Sequence, residues 1–530
     1  MDSSIFRHTL GDVLRRTAAR MPRKLAIQCG CVCWTYAEFD AICNRLARGL
    51  HDHGITIGER VAILARNSHA YAAVRFALAR LGAVLVPVNF MLHENEAAYI
   101  LRHSGATFLF TDPGLEPLAR RAAAADTAVR QIAVLPDEDG TPRSGDGLRF
   151  EELLSSSDMP VESDVRGDSL AQIVYTSGTE SLPKGVMLPH DAVLWEYVAC
   201  IADGEIAESD LVLHAMPLFH CAQLDAFLGP AVYVGASNVI TGRPTPGNLL
   251  TLLSRHSITS FFAPPTLWIG MLRCEAFDPG ALSRLRKGYY GASIMPVEVL
   301  RELLTRLPQI RLWNMYGQTE IAPLATVLKP EDQLRKAGSA GRAALNVEIR
   351  LVDDEDRDVP LGEIGEIVHR SPQLLRGYFN DEERTREAFR GGWFHSGDLA
   401  RMDSEGDITI VDRKKDVIKT GGENVASREV EEKLYGHPSV SEAAVIGVAH
   451  EKWIEAVIAV VVIKQGHSIT EEALLAHCTG CLAHFKVPKR VLFVDELPKN
   501  PSGKLLKRQL RRVYAHALQD HNGCDAAADH

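Results

Sequence analysis

Apolar and polar positions follow two rhythms along this chain. Between Thr9 and Arg20, Leu10, Val13, Leu14 and Thr17 recur at helical spacing with arginines opposite, which predicts an amphipathic helix. "RVAILARN", ending at Asn67, is an apolar run of strand length. "SHAYAAVRFALARLG" then predicts a helix capped by Ser68 and stopped at Gly82, and "AVLVPV" predicts the next strand. Strand, helix and strand in that order make a βαβ unit, with parallel strands and a right-handed crossover. The strand-to-loop texture returns in "LAQIVYTSG", "SITSFFAPP" and "IRLWNMYGQTE". Ligands of open α/β sheets gather beyond the carboxyl ends of strands, so these three loops are candidate ligand loops.

Residues 135–147, "LPDEDGTPRSGDG", read as a polar surface loop. After Arg413 the texture changes. "SREVEEKLYGHPSVSEAAVIGV", "EAVIAVVVIKQG", "TEEALLAHCTGCLAHF" and "KRVLFVDEL" predict helix, strand, strand, helix, strand, a small domain of about 100 residues. The last stretch, "HALQDHNGCDAAADH", reads as a frayed tail.

The bulk numbers add limits. A chain of 530 residues is too long for one compact core. A net charge of −10 argues against a nucleic-acid-binding protein, and an anionic substrate would need a local positive site. The apolar runs are too short for a membrane span, and the first residues lack the apolar core of a signal peptide, so a cytoplasmic location is the expectation. Of ten cysteines, Cys29, Cys31 and Cys33 alternate, which predicts one face of a strand or hairpin. His477, Cys478, Cys481 and His484 lie close together, but no second ligand pair follows, so free buried thiols are favoured over a metal site.

The densest chemistry is "YTSGTESLPKG", Tyr175 to Gly185, where hydroxyls, glycines and Lys184 follow an apolar strand. It fails the Walker A pattern: five positions after Gly178 comes Pro183, and Lys184 is followed by Gly185 instead of a hydroxyl. It resembles instead the phosphate loop of the adenylate-forming (AMP-binding) enzymes, with Glu180 and Ser181 in place of the usual Thr-Gly. Other motifs of that superfamily follow in its order: "PLFH" (Pro217–His220), "YYGASIMP" (Tyr289–Pro296), "YGQTE" (Tyr316–Glu320), "GWFHSGDLARMDSEGDITIVDRKKDVIKTGGENV" (Gly392–Val425) and "LPKNPSGKLLKRQLR" (Leu497–Arg511). The match covers roughly residues 10 to 515.

The resemblance implies an α/β fold. A large N-terminal domain, residues 1–412, would hold parallel-rich sheets and flanking helices. A small mobile C-terminal α+β domain would span 413–515, ahead of a disordered tail, 516–530. It implies an acid–thiol ligase of the acyl-CoA synthetase branch, in which a carboxylate attacks the α-phosphate of ATP and a thiol then displaces AMP. ATP, Mg²⁺ and coenzyme A are the implied cofactor and substrates. The first step needs no general base, because a carboxylic acid is already ionised near pH 7.

Carried over by position, Thr176, Ser177, Gly178, Thr179 and Lys184 would wrap the β- and γ-phosphates. Thr319 would touch the phosphates and Glu320 would hold Mg²⁺. Tyr316 would lie against adenine, with Gly291, Ala292 and Ser293 lining the adenine and acyl site. Asp398 and Arg413 would hold the ribose. Lys504 would be the catalytic lysine of adenylation, and the loop of Lys419, Gly421, Gly422 and Glu423 would serve the thiol side. Lys415 would be the hinge between the two poses. His220 would gate the tunnel or assist the thiol. Glu180 would turn outward or act as a second Mg²⁺ ligand, the outward reading being favoured.

Two further departures stand out: Ala426–Ser427 where an aromatic and a proline are often found, and Ile454 where glycine is common. "YYGASIMP", "RGYFNDEERTREAF" and "GGENV" resemble bacterial fatty-acyl-CoA ligases, so a fatty acid is the first expectation. An aryl-acid ligase, and transfer to a separate carrier protein, are the alternatives. Small molecules are the expected partners, with a homodimer also open.

Overall fold

The computed structural model describes residues 7–138, 147–176, 182–293, 295–414, 416–420, 423–450, 453–499 and 505–518. Among them, four sheets organise the chain. One eight-stranded sheet is built around Arg60–Leu64, Val84–Pro87 and Leu170–Thr176. A nine-stranded sheet carries Ser260–Phe262, Lys287–Gly291 and Arg311–Gly317 as parallel neighbours. A four-stranded antiparallel sheet includes Phe394–Met402 and Ile408–Arg413. The last sheet belongs to the small C-terminal domain. The α/β reading therefore holds, with a large N-terminal and a small C-terminal domain.

Local sequence explains the first βαβ unit. Ser68 accepts a hydrogen bond from the Tyr71 amide, and the helix His69–Leu81 ends at Gly82 with φ 78°. The flanking strands pair in parallel, from Arg60 with Val84 to Ile63 with Pro87. The first strand stops at Leu64, short of the expected Asn67. The N-terminal helix spans Leu10–Arg20 and buries Leu10, Val13, Leu14 and Thr17, as its spacing predicts.

The small domain has the predicted order: helix Ser427–Tyr435, strands Val440–His450 and Ile454–Ile463, helix Glu471–Thr479 and strand Arg490–Phe493. An additional hairpin precedes them, Ile418–Thr420 with Glu423–Val425. Its first strand meets the main sheet at Thr420–Ile454. Ile454 is 67% exposed and has φ 69°. A β-branched side chain is strained there. Ile454→Gly is expected to raise stability by about 0.5–1 kcal/mol, the strain relief exceeding the glycine entropy cost. Urea unfolding of the two proteins checks this, and an unchanged or lower midpoint would refute it.

The cysteine reading needs correction. Strands Leu25–Cys29 and Val32–Thr35 form a hairpin in which Gln28 faces Cys33 and Cys29 faces Val32. Gly30 and Cys31 make the turn, so Cys29 and Cys33 lie on opposite faces. Cys29 is buried, while Cys31 and Cys33 are exposed. In the second group, the helix ends at Thr479, which leaves Cys481 beyond it and exposed while Cys478 is buried.

Candidate active site

The carboxyl ends of three adjacent parallel strands set the site. Phe262, Gly291 and Gly317 end the strands Ser260–Phe262, Lys287–Gly291 and Arg311–Gly317. Close backbone packing fixes two of these ends. A Cβ on Gly291 would fall 2.3 Å from the Met315 carbonyl oxygen, and one on Gly317 would fall 1.7 Å from the Pro323 carbonyl oxygen. Neither neighbour is a side chain that can swing away. Gly317→Ala is expected to lower stability by about 1–3 kcal/mol and to depress the adenylation that the resemblance implies, because Tyr316 is the preceding residue. A thermal melt and a pyrophosphate-release assay check this. A variant matching the wild type in both would contradict it.

Two polar clusters border these strand ends. In the first, Tyr316 donates its Oη to Asp398 Oδ2 at 2.6 Å, and Arg413 Nε lies 3.5 Å from Asp398 Oδ1. Asp398 and Arg413 face each other across antiparallel strands. Burial, and then the Asp398 charge, push the Tyr316 hydroxyl far above its ordinary pKa, so it stays a donor.

In the second cluster, Tyr378 donates to Glu320 Oε1 at 3.1 Å. Lys184 Nζ sits 4.9 Å from the centre of the same ring, a cation–π contact. Burial and the Glu320 carboxylate keep this tyrosine protonated too. Thr319 Oγ1 lies 3.4 Å from Cys221 Sγ. Lys184 pairs with Thr176 across antiparallel strands, so the ends of the phosphate-loop stretch belong to one β-hairpin.

His220 stands beside Cys221 and uses its ring to cap a short helix: Nδ1 accepts the Ala222 amide at 3.1 Å. The neutral ring must then carry its proton on Nε2. Buried amides hold the segment that leads to it. Asn67 donates to the Met216 and Thr241 carbonyls at 2.8 and 3.1 Å and accepts from the Leu218 amide at 2.8 Å. Gln223 accepts from the Met216 amide and donates to His214 Nδ1, and His214 Nε2 donates to Asn238.

Aromatic side chains at and behind these strand ends are closely packed. Phe227 stacks on Phe262 with centroids 4.5 Å apart and planes 17° apart. Tyr290 donates to Gln333 Oε1 at 2.7 Å. Phe219, Phe262, Tyr290, Ile321 and Ala322 are at most 9% exposed, whereas Trp195 is 47% exposed. Phe227 rides on a π-helical turn, Leu224–Leu228, whose Asp225 makes a buried ion pair with Arg75 at 3.0 Å and accepts from Gln172 at 2.7 Å.

Of the residues expected from sequence, the fold brings Thr176, Lys184, Thr319, Glu320, His220, Gly291, Tyr316, Asp398 and Arg413 to these elements. Ala292 and Ser293 follow Gly291 and are exposed. Lys419 and Glu423 lie exposed on the small-domain hairpin. Ser177, Gly178, Thr179, Glu180, Lys415, Gly421, Gly422 and Lys504 fall outside the described residues. Sequence reasoning passed over Tyr378, Asn67 and Cys221. The first lay unused inside the quoted stretch "RGYFN", and the last directly follows "PLFH".

The tyrosine–aspartate–arginine group thus lies beside the strand ends of a large α/β domain that is joined to a small C-terminal domain. The chain belongs to the AMP-binding enzyme family: the family model matches residues 14–379, and that of the AMP-binding enzyme C-terminal domain matches residues 429–504. It is an AMP-forming acid–thiol ligase, with ATP and coenzyme A as substrates and Mg²⁺ as the ion typical of the family.

The chain is 37% identical to a feruloyl-CoA synthase of Amycolatopsis sp, over 95% of this chain and 99% of that one. It is 34% identical to an indoleacetate–CoA ligase of Aromatoleum aromaticum, over 96% and 98%. A long-chain-fatty-acid–CoA ligase of Thermus thermophilus is 35% identical, over 95% of both chains. Among solved structures, ATP-bound MatB from Rhodopseudomonas palustris superposes with a TM-score of 0.87 at 29% identity, over 96% of this chain and all of that one. The apo structure of MatB superposes with a TM-score of 0.76 at 30% identity, with the same coverage.

Proposed function

We propose that this enzyme couples an aromatic or aryl-substituted carboxylic acid to coenzyme A. The packing of the aromatic residues that would line the acyl side carries the choice of acid. A face-to-face Phe227–Phe262 pair and a Tyr290 ring fixed by Gln333 favour a flat ring over a long flexible chain. The feruloyl and indoleacetate relatives agree with this reading. The fatty-acid reading favoured by the sequence motifs is the second one, and the Thermus thermophilus relative supports it.

In this reading the acid arrives ionised, and the barrier lies in bringing two anions together. Lys184 and Thr319 would meet the phosphates while Asp398 and Arg413 hold the ribose, so the main contributions are positioning and charge neutralisation. Glu320 fits a Mg²⁺ that arrives on the nucleotide. It is a hard oxygen donor beside the Thr319 hydroxyl, and no cluster of three or more ligating side chains occurs among the described residues. When bound, the ion supplies further neutralisation of phosphate charge. Nδ1 of His220 accepts a backbone amide, which favours the gating role over that of a base in the thiol step.

The segment around Lys415 supports its role as hinge. Lys414 is tied to the large domain through Asp354 at 2.6 Å and Glu366 at 3.3 Å, whereas Asp416 is tied to Arg511 of the small domain at 2.8 Å. These contacts support the expected boundary, with the large domain ending at 412 and the small domain beginning at 413.

A panel of ferulate, indoleacetate and hexadecanoate, scored by pyrophosphate release with and without coenzyme A, tests the proposal. The two aromatic acids are expected to exceed hexadecanoate at least tenfold in kcat/KM, with acyl-CoA as product. Dominance of hexadecanoate would restore the fatty-acid reading. Adenylate without thioester would point to a carrier protein.

A further inference from the structure

Ser427 and Asp412 lie on opposite sides of Lys415, and they are bonded to each other. Asp412 ends the large domain on the strand Ile408–Arg413, and Ser427 opens the small-domain helix Ser427–Tyr435. The Ser427 amide donates to Asp412 Oδ2 at 2.7 Å, and its hydroxyl donates to the same oxygen at 2.8 Å. Lys507 Nζ donates to the Ser427 hydroxyl at 2.5 Å and pairs with Glu431 of the same helix at 2.8 Å. Asp412 and Ser427 are 6% and 0% exposed. Asp412 also accepts the Arg413 amide at 2.8 Å, which joins this contact to the strand position of the expected ribose-side arginine.

We propose that the Asp412–Ser427 contact is a latch that holds the small domain in the pose used for adenylation and is released before thioester formation. The inference rests on the two-pose reading above. Two observations assign the latched pose. The thiol-side hairpin is turned to solvent, with Lys419, Glu423 and Asn424 exposed. The overall arrangement is also nearer to ATP-bound MatB than to its apo structure, at TM-scores of 0.87 and 0.76. The latch depends on a residue that departs from the family pattern, because a proline at 427 would have neither the amide donor nor the hydroxyl.

That departure supplies a clean probe. Ser427 is the first residue of its helix, a position where proline is well tolerated, and Ala426 before it has φ −70° and ψ 114°, a conformation compatible with a following proline. Ser427→Pro thus deletes both donors with little reason to disturb the helix, and Ser427→Ala deletes only the hydroxyl.

In single turnovers of the full-length enzyme, Ser427→Pro is expected to slow pyrophosphate release from acid and ATP about five- to tenfold, and Ser427→Ala about two- to threefold. Thioester formation from supplied acyl-adenylate and coenzyme A should stay unchanged or quicken. Parallel loss of both steps, or neither step changing, would overturn the latch. Hydrogen exchange gives a readout independent of turnover. A first-turn amide has no partner within its own helix, so slow exchange at Ser427 reports Asp412. We expect protection in the wild type and its loss in Asp412→Ala; rapid exchange in the wild type would overturn the latch even if no acid were turned over. An enzyme that activates no acid of the panel would instead refute the proposed function, leaving the exchange result to judge the latch.

Discussion

Asp398→Ala is expected to reduce kcat/KM for ATP by about 10²–10³-fold, with the KM for the acid little changed. The magnitude follows from the contacts at stake. A carboxylate that accepts from two ribose hydroxyls contributes roughly 1.5–3 kcal/mol per bond, and two such bonds correspond to two or more orders of magnitude. The same substitution strips Tyr316 of its 2.6 Å acceptor and Arg413 of its nearby anion, so the ring assigned to adenine loses its anchor. Asp398→Asn should fall between the two, because it keeps the shape and loses the charge. Initial rates with ATP and the acid varied separately decide the matter. Equal increases in both Michaelis constants would move Asp398 from nucleotide binding to general support of the site.

Acidification is expected to destabilise the fold well before the carboxylates titrate. Burial lowers the pKa of His69 and His214 to about 4 and of His190 and His369 to about 3, from an ordinary 6.5. Because the folded state holds these rings neutral, the unfolded chain binds more protons below pH 6.5. Their contribution is complete above that value and is lost as pH falls through it toward the folded pKa.

Between pH 7.5 and 5.5 each ring would give up about 1.4 kcal/mol. Glu196 works in the opposite sense, since its burial raises the carboxyl pKa and favours the protonated form. It offsets part of that loss over the same interval. Before that offset the four rings together would give up roughly 5–6 kcal/mol, comparable with the 5–15 kcal/mol that stabilises a typical domain. His369→Leu is the sharpest check. Neither ring nitrogen of His369 has a partner among the described residues, and its ring lies nearly parallel to Phe394, 6.4 Å away. The substitution should raise stability at pH 7.5 and remove about 1.4 kcal/mol of the pH dependence. Urea unfolding at both pH values measures each quantity, and an unchanged pH dependence would refute the assignment.

Much of this architecture was legible from local patterns, and the exceptions share a cause. The helix His69–Leu81 is announced by its cap and its terminal glycine, and the small domain by its alternation of periodicities. The hairpin Ile418–Thr420 with Glu423–Val425 reads as a loop in the sequence because three-residue strands around glycines carry almost no periodic signal. In the site, contiguous motifs marked Lys184, Glu320, Tyr316 and Asp398. What escaped were residues defined by long-range contact. Tyr378 lies 58 positions from Glu320, and Asn67 holds carbonyls 149 and 174 positions away. Cys29 and Cys33 illustrate the converse: spacing alone put them on one face, and a two-residue turn reversed one of them.

The pairing of Thr176 with Lys184 has a consequence for how such enzymes diversify. Six antiparallel pairs, from Leu170–Pro189 to Thr176–Lys184, set the register of the two arms. Loop closure depends only weakly on length, about 0.6 kcal/mol per doubling. The stretch between the arms is therefore replaceable as far as their register is concerned: grafting the corresponding residues from relatives, or inserting a residue or two, should leave folding nearly intact. Selection could thus explore charge and size at this spot, Glu180 included, at little risk to the scaffold.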